Sequence, residues 1–234
     1  IYARTAATLM ILTGERPARM PSTSGEAYKS PSDLQHDLSV IHGSLLQHQG
    51  PAFRTGPLPD LIRAIDVFGF HLATLDLRQN SAVHGRVVAE LMMIADVTPD
   101  YGKLSEEERC EILLRELDHE RPLSSPFANY SDETRRELST LATAAQIKKQ
   151  HGAASIRNYI ISNTTALSDL LEVYILLKEV GLFRPGATPA TQIFAEPLFE
   201  TIGDLRAAPE TMRKYLGLPL IKALHGKAGI QEVM

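Results

Sequence analysis

Phe68-Gly69-Phe70-His71-Leu72-Ala73-Thr74-Leu75-Asp76-Leu77-Arg78-Gln79-Asn80-Ser81 is the stretch on which the fold turns. From Leu72 to Arg78 apolar and polar side chains alternate, which is the period of a strand. Ala73, Leu75 and Leu77 fall on one face, and Thr74, Asp76 and Arg78 on the other. After it, Val87, Val88, Leu91 and Met92 predict a helix over about 83–95. The same order recurs twice. Asn158-Tyr159-Ile160-Ile161-Ser162-Asn163 leads into a helix carrying Leu170, Leu171, Tyr174, Leu177 and Val180, which stops at Gly181. Gln192 to Glu200 leads into a helix predicted over about 209–216. Strand followed by helix, repeated, predicts parallel strands joined by helical crossovers. Arg78, Ser162/Asn163 and Glu200 then stand at the strand ends.

Outward from these units the chain reads as helix. Ser30-Pro31 supplies an N-cap and a first-turn proline for a helix with Leu34, Leu38, Ile41 and Leu45 on one face, ended by Gly50-Pro51. Leu61, Ile62 and Ile65 mark another over 58–67, and Met20 to Lys29 reads as an exposed loop. Ser105 with Glu108 forms a capping box, and Ser131 caps a long helix that stops at Gly152. The expectation is a predominantly helical α/β chain, part of a decorated TIM-like α/β barrel with few short parallel strands. Its catalytic residues would lie where the C-terminal strand ends converge. The organisation expected is helical over 1–67, then strand–helix units from about 68, 158 and 192, all within one catalytic domain. Three strands cannot close a barrel, so the core is expected to be incomplete.

Of 234 residues, 44% are hydrophobic and 22% charged, a soluble globular profile. The net charge of -4, without a dense basic block, argues against nucleic-acid and membrane-surface partners. Cys110 is the only cysteine, which excludes an internal disulfide and suits a reducing, cytoplasmic setting. The run Ala6 to Leu12 lacks the flanks of a signal peptide and reads as an amphipathic helix, and no apolar stretch is long enough to span a bilayer. The opening at Ile1 without methionine and the apolar close at Val233-Met234 read as the ends of an internal fragment.

Glu200 at a strand end suits a hard divalent cation, which prefers oxygen ligands; from sequence alone a surface or Arg-paired glutamate is the commoner case, because single carboxylates are common. Arg78 could grip a phosphate or carboxylate with its forked donors, or pair structurally with Asp76 or Asp66. Glu196 could be a second carboxylate or a rim residue. His36, His42 and His48 are scattered around a helix, His71 and His84 lie on separate elements, and no zinc spacing occurs. Cys110 sits in a charged helix without a histidine partner, and Ser162 reads as a hydrogen-bonding strand end. Gly226, Lys227 and Gly229 match neither phosphate-loop fingerprint.

The segment 68–81 resembles a signature stretch of bacterial phosphoenolpyruvate carboxylases. So do Tyr159-Ile160-Ile161-Ser162 with Ser168-Asp169-Leu170-Leu171-Glu172-Val173, and Pro197-Leu198-Phe199-Glu200-Thr201-Ile202-Gly203-Asp204-Leu205. The three stand in the family's order, so the likeness covers nearly the whole chain. The resemblance implies that phosphoenolpyruvate and bicarbonate give oxaloacetate and phosphate, with Mg2+ or Mn2+, in a cytoplasmic homo-oligomer, a tetramer when full length. It implies Glu200 as metal ligand, Arg78 at the substrate's phosphate region, and Leu198 and Met234 beside its methylene. The family's T-A-H-P-T-E segment, with an essential histidine, would lie before Ile1 and its G-Y-S-D-S segment after Met234. The chain alone is therefore expected to be inactive. Glu196 departs from the family pattern, where an apolar residue is expected. The alternative from a different class is a non-catalytic helical binding or assembly module.

Overall fold

Ser30 accepts a hydrogen bond from Asp33 N, and Asp33 reciprocates at Ser30 N, so the second helix begins with a closed capping box. The computed structural model describes residues 1–226 and 229–234, so Lys227 lies outside the described residues. The chain divides into two compact units, one of residues 1–74 and 147–155, the other of residues 75–146 and 156–234.

The first unit holds α1 (Tyr2–Thr13), α2 (Pro31–Gln49) and α3 (Pro57–Phe68). Tyr28, Leu34, Leu38 and Ile65 form its core, with Leu58, Ile62 and Phe70 packed against them. Tyr28 comes from the loop expected to be exposed, and it is buried. The Arg4 guanidinium lies 3.9 Å over its ring, and its hydroxyl donates to Asp37 Oδ2 at 2.8 Å.

The second unit is built on β1 (Leu75–Asn80), β2 (Ile156–Ser162) and β5 (Phe194–Pro197), a three-stranded parallel sheet in the order β1-β2-β5. Between β1 and β2 lie α4 (Ser81–Ile94), α5 (Glu106–Asp118) and α6 (Asp132–His151). Between β2 and β5 lie α7 (Leu167–Glu179) and the two-residue antiparallel strands β3 (Phe183–Arg184) and β4 (Ala190–Thr191). After β5 come α8 (Ile202–Gly217) and α9 (Pro219–His225). The architecture is α/β, mostly helical, with few parallel strands. Helix α7 is the spine of the core: every residue from Leu170 to Lys178 is buried, as its nearly all-round apolar sequence requires. No helix among the described residues is long and apolar enough to cross a membrane.

Several boundaries differ from the sequence reading, each for a physical reason. The first strand begins at Leu75, not Leu72, and continues to Asn80. Leu72 has φ 65 and its N–H donates to Phe68 O, so Gly69 to Ala73 form a turn. An irregularity between Leu75 and Leu77 gives β2 one extra residue there. β1 is half-exposed, with Leu75 on the surface, so Arg78 does not close a buried strand. The third strand is confined to Phe194–Pro197, which leaves Glu200 beyond it, just before the α8 N-cap Thr201. That helix starts at Ile202 because Thr201 and Asp204 form a capping box, and Pro209 sits inside it.

Candidate active site

The register decides which side chains meet. Arg78 pairs with Ile160 and Ile160 with Glu196, so the three share one face of the sheet. Gln79, Tyr159 and Ala195 point to the other face. There Gln79 Nε2 donates to Glu137 Oε2 at 3.0 Å and the Tyr159 hydroxyl donates to Glu137 Oε1. His84 of α4 meets the Tyr159 ring edge-on, with centroids 5.0 Å apart. One face is thus covered by helices, and the opposite one carries Arg78.

At the C-terminal end of that face, Arg78 Nε donates to Ser162 Oγ at 2.9 Å and Nη2 approaches Glu200 Oε1 at 3.5 Å. The Arg78 side chain remains 59% exposed and that of Glu200 34%, so the pair is wet and contributes little to stability. Among the described residues Asp76 does not take Arg78 as a structural partner. Asp76 Oδ1 accepts from Asn158 N at 3.2 Å, and Asp66 Oδ1 from Gln35 Nε2 at 3.5 Å. Leu198 N donates to Ile161 O at 3.0 Å, which extends the ladder beyond β5. Met234 lies alongside: its N donates to Pro197 O at 3.0 Å, and its O accepts from Phe199 N at 3.1 Å. That pattern is the rung of a parallel ladder, with Met234 level with Leu198. The four residues singled out from sequence thus gather at one end of the sheet.

The donor set for a divalent cation is a single carboxylate. Among the described residues no group of three or more His, Cys, Asp or Glu is arranged to hold a metal. Mg2+ binds through one or two carboxylates plus substrate oxygens and water, and Glu200 fits as one such ligand. Glu196, further down the same face, is buried at 4% exposure. Burial pushes its carboxyl above the usual range, and Glu232 and Asp76 push it further.

The phosphoenolpyruvate carboxylase family profile matches residues 1–234. A phosphoenolpyruvate carboxylase of Ralstonia nicotianae is 46% identical over 239 residues, covering 100% of this chain and 24% of that protein. One from Aromatoleum aromaticum is 49% identical over 94% of the chain and 24% of its own length. One from Caulobacter vibrioides is 43% identical over 100% and 26%. The chain belongs to the phosphoenolpyruvate carboxylase family. It spans about a quarter of the length of the curated relatives it matches.

This stretch of a phosphoenolpyruvate carboxylase family chain also carries ionisable groups whose behaviour is set by burial. Glu172, in the middle of α7, is 1% exposed. Its Oε1 accepts from the Tyr101 hydroxyl at 2.8 Å, while Oε2 has no partner among the described residues. Burial, seconded by Asp169, pushes the carboxyl up to about 8, against the opposing pull of Tyr101 and Arg109. Glu172 lines a cleft of about 400 Å3 with Gly85, Tyr101, Arg109 and Asp169. The signal was present in the sequence, because Glu172 interrupts the apolar run Leu170 to Leu177 at a core position. His84 is fully buried with neither ring nitrogen bonded among the described residues, and burial lowers it to about 4. Cys110 is half-buried beside Glu106, and burial first, then Glu106, raises its thiol to about 12. A thiol held protonated in this way is no nucleophile.

Proposed function

We propose that residues 1–234 serve as part of the catalytic domain of a phosphoenolpyruvate carboxylase, which forms oxaloacetate and phosphate from phosphoenolpyruvate and bicarbonate. The observation that carries this reading is the convergence of Arg78 and Glu200, from β1 and from beyond β5, 3.5 Å apart. Parallel strands followed by helices, with polar residues at their C-terminal ends, support a TIM-like barrel as the complete fold. Residues outside this stretch supply the histidine segment and the second metal carboxylate, and the working enzyme is a cytoplasmic homo-oligomer, a tetramer by family resemblance.

Each residue then has a chemical task. Arg78 offers its guanidinium to the substrate phosphate, chiefly through Nη1, which has no protein partner among the described residues, while Nη2 faces Glu200. Glu200 gives one carboxylate oxygen to Mg2+ or Mn2+. The bound cation supplies positive charge where the enolate and carboxyphosphate develop negative charge. Leu198 and Met234, level with one another across the ladder, form an apolar wall beside the methylene, which keeps water from protonating the enolate.

The test is a coupled malate dehydrogenase assay on the full-length family enzyme containing these residues. Glu200→Gln is expected to cut kcat/KM by roughly a hundredfold or more and to raise the metal concentration needed for half-activity. Arg78→Ala is expected to raise KM for phosphoenolpyruvate. Unchanged kinetics in both variants would remove the assignment. Residues 1–234 alone are expected to produce no oxaloacetate in the same assay.

A further inference from the structure

Ser162 closes β2, and the residue after it turns the chain in an unfavourable way. Asn163 has φ 56, in the left-handed region that a non-glycine residue occupies when its surroundings hold it there. The holding bonds come from both sides. Ser81 Oγ, at the start of α4, donates to Asn163 O at 2.7 Å. On the side of β5, Thr164 N donates to Leu198 O at 3.1 Å, and Leu198 N to Ile161 O at 3.0 Å. Thr164 Oγ1 closes the elbow by donating to Ile161 O at 2.8 Å. A strained turn pinned from two elements fixes the side chain just before it.

That side chain delivers one oxygen to one nitrogen. Ser162 Oγ accepts from Arg78 Nε at 2.9 Å. Nε is the nitrogen nearest the aliphatic stem, so a bond there fixes the plane of the guanidinium without itself occupying a terminal nitrogen. Nη2 faces Glu200, and Nη1 is unengaged by protein among the described residues. Arg78 is otherwise an exposed side chain whose rotamer freedom must be lost before it can bind an anion in two places.

We propose that Ser162 is a positioning residue for Arg78: the pinned Asn163 elbow presents Ser162 Oγ to Nε and pre-orients the guanidinium fork for the substrate phosphate. This rests on the reading of Arg78 as a phosphate ligand. Ser162 acts through Arg78 and touches no reacting atom. Threonine at the same position keeps the oxygen, and a β-branched side chain suits a strand end.

The experiment is steady-state kinetics of the full-length enzyme with Ser162→Ala, Ser162→Thr, Arg78→Lys and the Ser162→Ala/Arg78→Lys double variant. Ser162→Ala is expected to lower kcat/KM for phosphoenolpyruvate about tenfold, the weight of one hydrogen bond to a charged group. The KM for bicarbonate and the metal activation constant should stay within about twofold. Ser162→Thr should restore kcat/KM to within about twofold of wild type. Lysine has no Nε–H on a fork, so adding Ser162→Ala to Arg78→Lys should cost nothing more. A loss in Arg78→Lys with none in Ser162→Ala overturns the positioning role alone, as does a loss that threonine fails to rescue or one that adds in full to Arg78→Lys. No loss in Arg78→Lys overturns the phosphate reading of Arg78, and the positioning role falls with it.

Discussion

Replacing Glu172 by glutamine separates the cost of burying a charge from that of burying the side chain. In the folded chain this carboxyl is pushed up to about 8 by burial, against an ordinary value of 4.5. The folded form therefore keeps its proton across a range in which the unfolded chain releases it. The sign follows: this group's contribution to stability is complete below about 4.5 and is lost as pH rises through about 8. At 1.36 kcal/mol per pH unit, the gap amounts to ~5 kcal/mol once both states are ionised, and to ~3 kcal/mol at pH 7. Glutamine does not ionise, and its oxygen can still accept from Tyr101. Oε2 has no partner among the described residues, and neither would the atom replacing it, so that cost is common to both side chains. Glu172→Gln should gain less than about 1 kcal/mol at pH 5, ~3 at pH 7 and ~5 at pH 9. Urea denaturation of the chain followed by circular dichroism at these three pH values measures it. An advantage that stays constant from pH 5 to 9 would show that Glu172 does not carry a buried, displaced titration.

The mirror-image case is His84, lowered to about 4 by burial from 6.5. Its contribution is complete above about 6.5 and is lost as pH falls through about 4, a loss of ~3 kcal/mol that His84→Phe should abolish in denaturation curves at pH 4.5 and 7.5. Cys110, raised to about 12 by burial and Glu106, should react with iodoacetamide at pH 8 roughly a thousandfold more slowly than an unperturbed thiol. Labelling at the free-thiol rate, followed by mass spectrometry, would contradict the burial described here.

Local signals accounted for the helices. Ser30-Pro31, Ser105 with Glu108 and Ser131 each cap the helix expected of them, because a cap depends on residues three positions apart. The same rule holds at Thr201 and Asp204, which start α8 seven residues before Pro209, so the helix expected over about 209–216 is only its second half. Strand limits were less legible, since a strand extends only as far as its neighbour offers partners. β1 starts where Ile156 is available, and β3 and β4, two residues each, carry no period at all. The burial of Glu172 and His84 is less legible for a similar reason: it depends on exclusion from water by distant elements, which composition does not report.

The segment 68–81 announced a strand and the first of three family-like stretches in fourteen consecutive residues, all of it written in neighbours along the chain. It left the partner of Arg78 open between Asp76, Asp66 and a ligand. Folding adds Glu200 from 122 residues away, together with Ser162 from the adjacent strand, as protein partners of Arg78. Periodicity assigns a side chain to a face, but only the register between strands determines which distant residue shares that face at hydrogen-bonding distance.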